Sequence, residues 1–152
     1  MKFLQKSLNA KLTKSDLLIV FGCFGKKIKL PQGVKVPTSA LESFTCDSGQ
    51  KRITDSIKGP FQQVLMIGLG EPKKIDAENV RRAAAIALKE ARKNKLGSIT
   101  YWASKNYGFD ASLFGQALAE GAVMGSYRLD DFKKGTGDLK KITFHTGEII
   151  KR

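Results

Sequence analysis

Apolar positions along the chain follow two rhythms. Leu17-Leu-Ile-Val-Phe21 and Gln63-Val-Leu-Met-Ile67 are near-continuous apolar runs of strand length, the pattern of strands covered on both faces. Phe3-Leu-Gln5, Ser98-Ile-Thr-Tyr-Trp102 and Lys141-Ile-Thr-Phe-His145 read as further strands. Between the runs 63–67 and 98–102 the period lengthens. Val80, Ala83, Ala84, Ala85, Ile86, Ala87, Leu88 and Ala91 make an apolar stripe on a helix spanning 76–95. Asp76 is placed to cap it, Glu78 to meet its positive end, and Arg92, Lys93 and Lys95 to meet its negative end, with Gly97 as the stop. A second helix over 111–124, capped by Asp110, would bury Leu113, Phe114, Ala117, Leu118, Gly121 and Val123 or Met124. It should run into a turn at Gly125-Ser-Tyr127.

The connections are less legible. Gly22 to Gln32 is rich in turn formers, and Pro37-Thr38-Ser39 can open a short helix or a turn before Leu41 and Phe44. Across Asp47-Ser48-Gly49, the run Arg52-Ile-Thr54 can pair back as a hairpin. Strand 63–67, helix 76–95 and strand 98–102 make a βαβ unit, so those strands should be parallel. The chain therefore reads as one α/β domain over 1–152, with helices packed on a mixed, largely parallel sheet.

Charge changes the picture more than composition does. There are 27 Lys and Arg against 14 Asp and Glu, a net charge of +13. The basic residues come in small groups, among them Lys26-Lys27, Lys51-Arg52, Arg81-Arg82 and Lys140-Lys141, so they describe a lysine-rich surface and not a basic tail. Such a balance suits an acidic partner, or nucleic acid such as DNA. No apolar run approaches the ~20 residues of a membrane span, and Met1-Lys-Phe-Leu-Gln-Lys6 turns polar too early for a signal peptide. Cys23 and Cys46 are too few for a disulfide framework or zinc motif, which favours a reducing, cytoplasmic setting. Cys23 should be a buried thiol, and Cys46, beside Asp47 and Ser48, a more exposed one.

Few residues invite chemistry. Gly68-Leu-Gly70 follows a strand and precedes a helix, where open α/β sheets bind phosphates, so Gly68 and Gly70 are candidate ligand-loop residues. Yet Pro72 and Lys73 stand where a dinucleotide fingerprint would continue towards glycine, and a tight strand-end turn explains the glycines as well. His145, the single histidine, has no nameable nucleophile, orienting group or metal partner. Asp130-Asp131 lack a second carboxylate group at a telling spacing. Ser39, Ser43, Ser48 and Thr54 sit in no nucleophile-elbow context. Tyr127, Arg128 and Phe132 are candidates for an interface, and with Trp102 and Tyr107 for a base-stacking platform. No catalytic or metal-binding constellation emerges.

Three blocks, in order, resemble the N-terminal non-catalytic domain of the leucyl aminopeptidase (cytosol aminopeptidase) family. They are Val64-Leu-Met-Ile-Gly-Leu-Gly70, Val80-Arg-Arg-Ala-Ala-Ala85 with the helix after it, and Ala119-Glu-Gly121 through Gly125-Ser-Tyr-Arg-Leu-Asp130 to Phe132-Lys133. Gly25 to Phe61 matches poorly and looks short for the family. The resemblance implies a three-layer α/β/α sandwich similar to macro domains. It implies that catalysis belongs to a separate domain binding two divalent metals, zinc or manganese, whose motifs do not occur in these residues. It further implies a hexamer with these domains outermost, and, as in some bacterial members, contact with DNA. The expected role is accessory: assembly, substrate access or regulation of a cytosolic enzyme that trims peptides from the N-terminus. A stand-alone macro-like module for a nucleotide, ADP-ribose or nucleic acid is the alternative.

Overall fold

The computed structural model describes residues 2–7, 10–25, 27–103, 111–132, 139 and 141–146, with backbone alone at 2, 7, 111–112, 126–132 and 146. Six strands and three helices are defined: β1 (Lys2–Ser7), β2 (Ser15–Gly22), α1 (Thr38–Glu42), β3 (Lys51–Asp55), β4 (Phe61–Gly68), α2 (Ala77–Lys93), β5 (Ser98–Trp102), α3 (Ala111–Phe132) and β6 (Lys141–Thr146). The strands form one sheet in the order β1-β6-β5-β2-β4-β3. Every neighbouring pair is parallel except β3 with β4. The expected α/β class with a mixed, mostly parallel sheet and flanking helices is the fold observed.

Alternation along the central strands sorts side chains onto two faces. Leu17, Ile19 and Phe21 of β2 join Leu65, Ile67, Ile99, Tyr101, Ile142 and Phe144 under α2 and α3. Leu18 and Val20 join Val64, Met66 and Trp102 on the opposite face. Among the described residues the only helix there is the short α1. Ala40 of α1, with Val34, Val36, Phe44 and Cys46, covers that face, so an irregular segment does the work of a helix.

On the helix side, rings from four strands stand in a row. Phe3 stacks on Phe144, Phe144 on Tyr101, and Tyr101 on Phe21, which meets Phe114 of α3 edge-on. The Tyr101 hydroxyl donates to the Ala84 carbonyl at 2.7 Å, fastening the sheet to α2. Between α2 and α3 the approach is very close. A Cβ added to Gly121 would lie 2.4 Å from the Arg81 carbonyl oxygen, and the alanines of α2 leave room beside it. Arg81 Nε reaches Glu120 at 3.5 Å across the same seam.

Five expectations are corrected. The run 52–54 pairs forward with β4 and not back across 47–49, because the Gly59-Pro60 connection delivers β4 antiparallel beside it. Helix α3 does not stop for a Gly-Ser-Tyr turn. It continues through 125–127 to Phe132, because Gly125 is a packing residue whose added Cβ would meet Leu88 at 2.9 Å. Asp130 and Asp131 are therefore helical. Leu113 and Met124 are not core residues but more than half exposed, since the buried stripe is Phe114, Ala117, Leu118 and Ala122. Gly97 is not the stop of α2. Lys95 takes the left-handed conformation (φ 55°), with Lys95 N–H donating to Arg92 and Leu96 N–H to Ala91, a complete Schellman end with Leu96 as its apolar anchor. Gly97 instead donates its N–H to the Asp16 carboxylate at 2.8 Å. Asp76 does cap α2, in a capping box with Asn79. Asp110, Tyr107 and the 133–134 lysines lie outside the described residues.

Two substitutions test this packing. Gly121→Ala should cost about 1–3 kcal/mol despite its better helix propensity, because the α2 backbone must move away. Lys95→Gly should gain about 1 kcal/mol by relieving the left-handed strain. Urea unfolding of each variant reads both, and a Gly121→Ala protein as stable as the parent would break the packing account.

Candidate functional site

At the C-terminal ends of β2 and β4, three segments converge: 22–24, 46–50 and 68–70. Side chains are excluded there by contact. A Cβ on Gly68 would stand 2.1 Å from the Asp47 carbonyl oxygen, and one on Gly22 would stand 2.4 Å from Cys46 Sγ. The backbone groups then bond to one another. Gly68 N–H donates to Gln50, Leu69 N–H to Gly22, Gly70 N–H to Cys46, and Phe24 N–H to Gly70. Gly70 needs the left-handed region (φ 82°) to make this turn. All three N–H groups of the Gly68-Leu69-Gly70 loop are thus committed to carbonyls and none is offered to a phosphate.

Beside this junction lies a cleft of about 440 Å³ lined by Phe24, Asp47, Ser48, Glu71, Lys74 and Asn79, with Gly70 at its edge. Its polar groups are engaged locally. The Asp47 carboxylate accepts from Thr45, Lys74 Nζ lies 3.5 Å from Glu71, and Asn79 is the capping partner of Asp76. Two carboxylates against one ammonium make the cleft a poor seat for a diphosphate. Phe24, half exposed at its mouth, was not anticipated from the sequence, although Gly25 beside it, at φ 81°, marks the chain reversal that turns it outward.

Known proteins agree with this architecture. The family model "Cytosol aminopeptidase family, N-terminal domain" matches residues 29–136. The chain belongs to the cytosol aminopeptidase family. The match starts inside Gly25–Phe61, so that stretch belongs to the family pattern more fully than its residues suggest. A probable cytosol aminopeptidase of Aquifex aeolicus is 29% identical over 110 residues, covering 72% of this chain and 22% of the relative. One from Clostridium perfringens is 26% identical over 145 residues, covering 91% and 29%. The chain thus spans between about a fifth and three-tenths of these curated relatives. Among solved structures, the bottromycin maturation enzyme BotP in complex with Mn superposes with a TM-score of 0.67 at 23% identity, over 87% of this chain and 27% of that one. A mutant of tomato leucine aminopeptidase gives 0.68 at 17% identity, over 97% and 33%. These two likenesses show the shared fold.

Within this cytosol aminopeptidase domain, Tyr127, Arg128 and Phe132 occupy the last two turns of α3. The structure does not bring them to Gly68 and Gly70: they are on a helix, the glycines at a strand end. His145 is fully buried on β6. Trp102, taken as a stacking candidate, is nine-tenths buried against Leu18 and Val20. Among the described residues no group of three or more His, Cys, Asp or Glu side chains stands together to hold a metal ion, so no chemical step is derived through one. No helix among them is long and apolar enough to cross a membrane. Sequence reasoning missed two part-buried polar links. Asp16 accepts from Gly97 and Ser98, closing the α2–β5 connection onto β2, and Lys51 of β3 pairs with the buried Glu90 of α2. Both cross more than thirty residues, so no local pattern announces them.

Cys46 corrects a further expectation. It is buried, not exposed, in a left-handed conformation (φ 65°) that turns its thiol under the sheet beside Gly22. Burial, then the neighbouring Cys23 and Asp47, push its pKa from 9.0 up to about 11. The unfolded chain therefore loses this proton first. The stabilisation is complete below about pH 9 and is lost as pH rises towards about 11. Burial shifts Tyr101 upward as well, with the same sign. Urea midpoints measured across this window should fall with pH, and Cys46→Ser should flatten part of the slope. A parent midpoint that rises there would contradict the assignment.

Proposed function

We propose that the chain acts as the accessory N-terminal domain of a cytosolic metal-dependent aminopeptidase, whose chemistry resides in a separate domain holding two zinc or manganese ions. That enzyme removes N-terminal residues from peptides. The family match to residues 29–136 as an N-terminal domain carries this reading. The site geometry supports it, since the one loop suggestive of ligand binding spends its N–H groups on its own backbone. The role is assembly and support of the catalytic half within a homo-oligomer, a hexamer. Helix α3 is suited to it: Leu113 and Met124 are exposed on its outer side, and Tyr127, Arg128 and Phe132 follow in its final turns.

The macro-like alternative, a module for nucleotides or ADP-ribose, finds little support in a cleft where carboxylates outnumber ammonium groups. A DNA-binding role rests on the net charge of +13 and on the family resemblance. The purified chain should release nothing from a leucyl anilide, with or without added zinc or manganese. Joined to, or co-expressed with, a catalytic domain of this family, it should enter a metal-dependent, leucyl-anilide-hydrolysing oligomer. Hydrolysis by the chain alone, or no association with such a domain, would overturn the proposal.

A further inference from the structure

On the sheet face covered by α1 and the irregular chain beside it, a second and larger cleft of about 720 Å³ opens between two loops. Leu12, Pro31, Pro60 and Trp102 give it apolar walls, and Lys11 and Gln32 stand in its lining. The chain around it is tightly joined: Ser15 N–H donates to the Pro60 carbonyl at 3.1 Å, and Val34 N–H to Pro31 at 3.2 Å.

Lysines lie close to this lining along the chain: Lys35 and Lys58 are each two residues from a lining residue, Gly33 and Pro60. Lys35 and Lys58 are paired directly opposite each other in an isolated antiparallel bridge, with Lys35 N–H donating to Lys58 at 2.9 Å. Like charges in that relation oppose folding. Lys14 precedes the Ser15 that is bonded to Pro60. All four lysines, 11, 14, 35 and 58, are exposed, and none has a carboxylate within ion-pair distance among the described residues. The local sequence is also poor in acids. The first sixty residues hold 11 Lys and Arg but only four acids, Asp16, Glu42, Asp47 and Asp55. Three of these are bound elsewhere: Asp16 by Gly97 and Ser98, Asp47 by Thr45, Asp55 by Gln63. Beside the paired lysines, Ile57 is 66% exposed.

We propose that this cleft docks an acidic polypeptide segment, an apolar side chain entering between Leu12, Pro31, Pro60 and Trp102 while flanking carboxylates meet Lys11, Lys14, Lys35 and Lys58. Charge complementarity selects the occupant. A polynucleotide fits less well. Trp102 is nine-tenths buried and offers no open face for a base to stack on. The inference stands whether or not the chain serves beside a catalytic domain.

Trp102 is the only tryptophan, so its emission reports the cleft directly. The probe is a blocked hexapeptide, Asp-Glu-Leu-Phe-Glu-Asp, titrated into the full chain at low ionic strength. A saturable emission shift is expected, weakening as salt rises. The Asn/Gln counterpart peptide should bind about tenfold more weakly, roughly 1.4 kcal/mol. Lys58→Glu should lower affinity for the acidic peptide about tenfold while its melting temperature holds or rises, because the like-charge pair is relieved. Lys11→Glu should weaken binding similarly and guards against a folding defect in the first variant. No shift, equal binding of the neutral peptide, unchanged affinity in both variants, or tighter binding of oligothymidylate would each overturn the proposal.

Discussion

A parallel sheet cannot leave either face to water, because its strands are apolar on both sides. That constraint organises this domain. Leu17 to Phe21 of β2 are all buried, so cover must be found above and below the same five residues. One face meets it with two long helices, held close by Gly121 and the alanines of α2. The other has, among the described residues, only the five residues of α1, and residues 28–46 must extend over the sheet to complete the cover. Irregular chain packs less uniformly than a helix. The large cleft beside Trp102 is where that cover is incomplete.

The same economy shapes the strand ends. In many open α/β sheets the N–H groups after a central strand stay free for a ligand. Here Gly68 lets the 46–50 loop descend onto β4 until backbone touches backbone, and the loop's carbonyls take those N–H groups. Glycine at that place is thus a means of internal closure. This gives a physical reason for a domain of an enzyme family to have a familiar layout and yet offer no phosphate seat at this loop.

Strongly periodic parts of the chain were legible before the structure was known. The apolar runs of β2 and β4, the alanine stripe of α2 and the Asp76 cap all arise from contacts within a few residues. What was misread depends on distant neighbours. Gly125 looks like a turn until Leu88 of α2 is placed against it. Lys95 is a poor left-handed residue, but the Schellman bonds and the packing of Leu96 hold it there. Cys46 looks exposed beside Asp47, and only the glycine-lined descent of its loop buries it. Of the candidate site, Gly68 and Gly70 were visible as glycines, but not that their N–H groups were already taken.

Surface charge also separates into two kinds. On the helix side several cations are matched: Arg81 and Arg82 with Glu78, Arg81 again with Glu120, and Lys51 with Glu90. Around the thinly covered face, Lys35 and Lys58 stand opposed, with no carboxylate in ion-pair distance among the described residues. Exposed ion pairs contribute little to stability, typically about 0–1 kcal/mol. Unmatched lysines are therefore tolerable in folding terms, but a directly opposed pair is a cost that one substitution could remove. Its position at an apolar cleft gives that cost a function: the same two ammonium groups that repel each other in the free domain would both be satisfied by a single acidic segment lying between them.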